Sequence, residues 1–150
     1  MTLPWPVPSL LPHGGGMVLI GEPAASGNKW AEASVRIGED SLFYSTGHGV
    51  PSWVAAEYMA QTIALYAGIG ARNAGEDIKI GLLIGCRRYT ADTEYFSLGR
   101  HLGIHVEEVW QDNQMAVFDC VIKDDVEIAR AQLNVFIPTD TASFLESQAS

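Results

Sequence analysis

Pro51-Ser52-Trp53-Val54-Ala55-Ala56-Glu57-Tyr58-Met59-Ala60-Gln61-Thr62-Ile63-Ala64-Leu65-Tyr66-Ala67-Gly68-Ile69-Gly70-Ala71 is the longest apolar stretch in the chain, and the rest of the fold must be arranged around it. Its Ala, Met, Leu and Gln content favours helix over strand. Pro51 and Ser52 suit a helix start, and Gly75 follows in the next turn. At helical spacing Trp53, Ala60, Ala64 and Ala67 share one stripe, Val54 and Leu65 another, and Met59, Ile63 and Tyr66 a third. A helix that is apolar on nearly every side is a buried one. Glu57 and Gln61 break the pattern, one helical turn apart.

The flanking segments read as strands. Met17-Val18-Leu19-Ile20 is a short apolar run that predicts a buried strand, and residues 30–37 alternate Ala31, Ala33 and Val35 with Glu32, Ser34 and Arg36. Period two with one wet face marks an antiparallel strand. Beyond the helix, residues 78–89, 98–110, 115–123 and 126–137 read as strands, separated by turns at Asp92-Thr93, Asp112-Asn113 and Asp124-Asp125. Two strands, one buried helix and four strands predict an α+β fold: a curved antiparallel sheet of five to six strands wrapped around one long central helix. Open strand edges invite a second copy, so a dimer is expected. One domain should span residues 1–138, with an extended proline-rich arm at 1–16 and a polar tail at 139–150.

With 150 residues the chain can build one compact core, and 47% hydrophobic with 18% charged residues is an ordinary globular mixture. The net charge of -9 argues against nucleic acid, which needs a concentrated basic face. Glu57 and Gln61 interrupt the longest apolar stretch, so no unbroken apolar run approaches the roughly 20 residues of a membrane span. The N-terminal residues carry no basic group and are broken by prolines, unlike a secretory signal, so a cytoplasmic protein is expected. Cys86 and Cys120 lie in strand segments and are expected to be buried free thiols. His101 and His105 read as sheet-surface residues with no third ligand at suitable spacing, so no metal site is expected.

Leu10-Leu11-Pro12-His13 ahead of an apolar strand, then Gly47-His48, then Glu57-Tyr58-Met59-Ala60-Gln61 on a helix, together resemble the β-hydroxyacyl-(acyl carrier protein) dehydratases. More narrowly, Val50-Pro51-Ser52-Trp53-Val54 leading into Glu57-Tyr58-Met59-Ala60-Gln61-Thr62 is similar to the dehydratase-like hotdog proteins of aryl polyene gene clusters. So are Gly81-Leu82-Leu83-Ile84-Gly85, Arg87-Arg88-Tyr89 and Leu133-Asn134-Val135-Phe136. The resemblance runs from about Leu10 to Pro138. It implies a hotdog fold and a dimer with one continuous sheet and active sites at the interface. It also implies dehydration of a (3R)-hydroxyacyl thioester, carried on acyl carrier protein, to a trans-2-enoyl thioester in fatty-acid or aryl-polyene-type synthesis, with no metal or organic cofactor. Carried over, the catalytic pair is His48 from a loop and Glu57 from the helix, meeting across two protomers. The chain departs from the dehydratases in one respect. Where they have a long loop with Phe-Pro-Gly after Gly-His, Gly47-His48 here passes through Gly49-Val50 directly to Pro51.

Dehydration needs removal of the C2 proton, which a neutral imidazole can perform, and protonation of the leaving 3-hydroxyl, which a carboxyl group can perform. Backbone N–H groups of Gly49 and Val50, just before the helix, are candidates to hold the thioester carbonyl. Trp53 and Gln61 are candidate substrate-binding residues, Gln61 also as a hydrogen-bonding support. His13 either ties the N-terminal loop to the domain or stands as a reserve base. Arg87 and Arg88, with Arg72 and Lys79, form the local basic concentration that would help an acidic carrier protein dock. Two alternatives remain open: a hotdog acyl thioesterase, with a CoA or carrier thioester as substrate, and a catalytically inactive partner subunit of another hotdog dehydratase, as a heterodimer rather than a homodimer.

Overall fold

Alternating apolar positions build the sheet. Leu102, Ile104 and Val106 on one strand and Ala116, Phe118, Cys120 and Ile122 on the next are buried, while the residues between them reach solvent. This is the period of a sheet with one covered face. The computed structural model describes residues 3–11, 17–76, 82–112 and 114–136. In chain order these contain β1 (Gly21–Gly27), β2 (Trp30–Arg36), β3 (Val50–Pro51), α1 (Ala55–Asn73), β4 (Leu82–Ala91), β5 (Tyr95–Phe96), β6 (His101–Gln111), β7 (Met115–Lys123) and β8 (Glu127–Phe136). Six strands form one antiparallel sheet in the order β1-β2-β6-β7-β8-β4, and β3 pairs with β5 in a separate two-residue ladder. The expected sheet around one helix is therefore present, and β6, β7 and β8 pair consecutively as a meander.

α1 lies across β2, β6, β7 and β8. Tyr58, Met59, Ile63 and Leu65 of α1 share a core with Ile104, Phe118 and Leu133 from the sheet. Each such side chain contributes about 1.5–3 kcal/mol by leaving water. The chain ahead of β1 belongs to this core too. Val7–Leu10 forms a 3-10 turn whose Val7 and Leu10 are buried. The Arg72 guanidinium donates to Ser9 O at 3.3 Å, and a Cβ at Gly68 would collide with the Leu10 carbonyl oxygen. Glycine at 68 is what lets the arm lie directly on the helix backbone.

Four expectations need correction. The arm is not extended throughout, since Val7–Leu10 is a 3-10 turn packed on the core. Met17 to Ile20 is not a strand, because the backbone of Met17 and Leu19 is bonded to the Gln61 side chain rather than to a neighbouring strand. The helix is not covered on every side. Its start is a 3-10 turn, Ser52–Val54, and a stripe formed by Trp53, Ala56, Glu57, Ala60, Ala64 and Ala67 reaches solvent. Cys120 is buried, and burial pushes its thiol pKa up, but Cys86 is exposed. Cys86 pairs in register with the buried Leu133, yet β4 is an edge strand lying beyond the part of the sheet that α1 covers.

Replacing Gly68 by Ala should cost about 1–3 kcal/mol through overpacking against Leu10, read as a lower urea midpoint. Gly70→Ala, whose added Cβ meets nothing within 4 Å, should be neutral or stabilising; equal midpoints for the two variants would contradict this packing.

Candidate functional site at the start of the central helix

The start of α1 is held from three directions. β3 pairs Val50 with Phe96 and Pro51 with Tyr95. The Ser52 N–H donates to Glu94 O at 2.9 Å, and the Tyr89 hydroxyl donates to Ser52 O at 2.6 Å. The loop before β3 closes on itself, with Ser45 N–H to Gly49 O at 2.7 Å, and the His48 and Gly49 N–H groups both to Ser45 O at 2.9 Å. Gly49 has φ +114°, and a Cβ there would collide with Phe96 O, so both conformation and space demand glycine. The Gly49 N–H, a candidate donor to a thioester carbonyl, is thus engaged within its own loop, and Val50 is wholly buried in the β3–β5 ladder.

Gln61 organises the carboxylate. It is fully buried, and each end of its amide is used: Oε1 accepts from Leu19 N–H at 2.8 Å, and Nε2 donates to Met17 O at 2.7 Å. The same Nε2 donates to Glu57 Oε1 at 3.1 Å. Glu57 is half-buried and carries the single carboxylate of α1. Its rotamer is therefore set by a residue one turn along, which is itself fixed by main-chain groups of Met17 and Leu19 ahead of β1.

The other candidates lie as follows. His48 is exposed, and its imidazole stacks on the Tyr95 ring with centroids 5.0 Å apart and planes at 26°. Trp53 is 61% exposed and meets Phe43 with ring centroids 5.1 Å apart. Phe43 is held at φ +69°, a left-handed conformation uncommon for a bulky residue. Arg87 and Arg88 are exposed on β4 beside a register shift, Arg88 at φ +55°, and they immediately precede Tyr89, whose hydroxyl reaches the helix start. Arg72 is bonded to the arm at the far end of α1, and His13 and Lys79 lie outside the described residues. The structure thus joins Glu57 to Gln61 and His48 to Tyr95, and ties the Arg87-Arg88 segment to the helix start through Tyr89. Reading the sequence missed Tyr95, Phe43 and the role of Tyr89. A two-residue strand is too short to show a period, and a turn-held phenylalanine leaves no periodic signal.

A six-stranded antiparallel sheet packed on one central helix, with a helix-borne carboxylate near the helix start, is the hotdog architecture. The sequence matches the ApeP-like family, described as ApeP dehydratase, over residues 5–146, and the chain belongs to that family. Its structure is similar to a chain of the dehydratase heterocomplex ApeI:P from Xenorhabdus doucetiae, with a TM-score of 0.88, 25% identity, and 97% and 99% of the two chains covered. More distant folds are a hypothetical thioesterase with coenzyme A from Streptococcus pneumoniae TIGR4 (TM-score 0.57, 15% identity, 76% and 82% covered) and the E. coli PaaI protein (0.59, 12%, 79% and 81%). A stretch of 93 residues is 30% identical to the proline–tRNA ligase of Chlorobium chlorochromatii (strain CaD3); it makes up 62% of this chain and 18% of that curated relative. Among the described residues no helix is long and apolar enough to cross a membrane.

Replacing Gln61 by Leu strips partners from Leu19 N–H and Met17 O. It should cost about 1–3 kcal/mol for groups left unsatisfied in a covered place, measured by chemical denaturation. Unchanged stability would remove the amide from its linking role.

Proposed function

We propose that this chain dehydrates (3R)-hydroxyacyl thioesters carried on acyl carrier protein, giving trans-2-enoyl thioesters in fatty-acid or aryl-polyene-type synthesis, and that it does so in the cytoplasm. The observation that carries the proposal is the single carboxylate of α1, half-buried on the stripe that reaches solvent and oriented by a wholly buried amide. In the reaction the C2–H bond breaks to a base, the C3–O bond breaks, and the leaving hydroxyl takes a proton to depart as water. Glu57 is the acid toward the 3-hydroxyl, and His48 is the base for C2. His13 is the reserve base. Trp53 lines the approach to Glu57, and Gln61 holds the acid in place. Arg87 and Arg88 supply the positive rim for an acidic carrier.

The working unit is a pair of hotdog chains. Two features support it: the stripe of Trp53, Ala56, Ala60, Ala64 and Ala67 on α1, and β4 as the outer strand of the sheet among the described residues. The similar structure from Xenorhabdus doucetiae is a heterocomplex, which favours a second, different hotdog chain as the partner over another copy of this one. In such a pair His48 would act on the site of either chain.

The test is to incubate the purified chain, alone and with a hotdog protein that copurifies with it, with a 3-hydroxyacyl carrier thioester, and to measure enoyl thioester by mass. Glu57→Gln should lower the rate at least about a hundredfold without lowering the urea midpoint. Activity unchanged by Glu57→Gln in the mixture would assign the chemistry to the partner and this chain to support. Free thiol release without enoyl product would make it a thioesterase.

A further inference from the structure

At the opposite end of α1 from Glu57 lies a cleft of about 520 Å³ that the chemistry above does not use. Tyr66 and Gly70 on its wall are nine and thirteen residues beyond Glu57, about 14–20 Å at the helical rise. Its volume falls within the range of small-molecule sites.

The cleft is opened by a change of register in β6. Val106 pairs with Cys120 and Glu108 with Phe118, but then Trp110 pairs with Val117 and Gln111 with Ala116. One extra residue, Val109, has been inserted. Cys120, Phe118 and Ala116 are the buried, helix-facing positions of β7. Without the extra residue, Trp110 would oppose Ala116 and its indole would fill the space below α1. With it, Trp110 turns to the outer side, 51% exposed, and Gln111 faces inward in its place. The helix contributes small residues at the same spot, Ala67 and Gly70, and a Cβ added to Gly70 meets nothing within 4 Å.

One wall is polar, and its polarity is specific. The Tyr66 hydroxyl donates to Glu108 Oε2 at 2.8 Å, while the Tyr66 ring packs edge-on against Phe118 with centroids 5.6 Å apart. The Gln111 amide, turned to donate, reaches Glu108 Oε1 at 2.6 Å. A carboxylate has about four acceptor sites, so these two donors leave it room to accept another. Glu108 and Glu76 among the lining residues repel an anionic ligand, and Lys29 offsets one of these two negative charges.

We propose that this cleft is a second binding site, for a small neutral molecule with an apolar body and a hydroxyl at one end, a phenol or an alkyl alcohol. The body lies on Ala67, Gly70, Ala116 and Phe118, and the hydroxyl donates into the Tyr66–Glu108–Gln111 group. The proposal does not depend on what Glu57 does, because binding is measured without turnover. The probe is p-cresol, titrated into the full-length protein while the methyl signals of Ala67 and Ala116 are followed by NMR. Saturable shifts of both signals are expected, with p-cresol binding about tenfold tighter than toluene for a hydrogen bond to a charged acceptor, and with benzoate weaker than either. Gly70→Phe should fill the cleft and abolish the shifts. Tyr66→Phe keeps the ring on Phe118 and removes only the hydroxyl, so it should narrow the preference for p-cresol over toluene, a reading independent of whether the filled variant folds. Absence of saturable shifts, equal affinity for toluene, or parental binding in Gly70→Phe would overturn the site.

Discussion

The buried amide of Gln61 is the interaction on which the rest depends. A primary amide offers one acceptor and two donors in a plane, and here that plane lies between the arm and the helix. Main-chain groups of Met17 and Leu19 occupy it on one side and the Glu57 carboxylate on the other. An apolar residue at 61 would leave part-buried backbone groups of Met17 and Leu19 without these partners, and a charged one would require its own compensation. The arm in turn reaches the other end of α1, where Leu10 lies on Gly68. Position of the carboxylate and closure of the fold are thus properties of one contact.

The sequence made the strands of the meander legible because each is long enough to show its period. The extent expected for residues 115–123 coincides with β7, and the neighbours differ by a few residues at their ends. The helix and its two polar interruptions were equally plain, since lone polar residues in an apolar helix stand out whatever the tertiary context. Met17 to Ile20 failed because an apolar run of four is consistent with a strand, and only the partner of its backbone decides otherwise. The partner is a side chain 42 residues away from Leu19, which no local pattern reveals. Cys86 failed for a related reason: period two assigns a face, but whether that face is covered depends on the breadth of the helix above it.

Of the site, the carboxylate and its supporting amide were visible from spacing, and the setting of His48 was not. A glycine-flanked histidine in a polar loop has no preferred neighbour in sequence, whereas in the fold it rests on Tyr95 because β5 crosses beneath the loop and pairs with β3. The same small ladder explains why Gly49 is irreplaceable, a demand set by Phe96 more than forty residues on.

The stripe of alanines beside Trp53, together with the open β4 edge, has a consequence for how the chain is handled in a cell. Each of these surfaces is apolar or rich in unpaired backbone groups, and such surfaces associate with whatever is nearest. If a second hotdog chain covers them, as proposed, copies made in excess of that partner are orphan subunits, exposed to aggregation and to proteolysis. Matched supply of the two, by timing of synthesis or by shared control, then matters as much to the yield of active material as the stability of either chain.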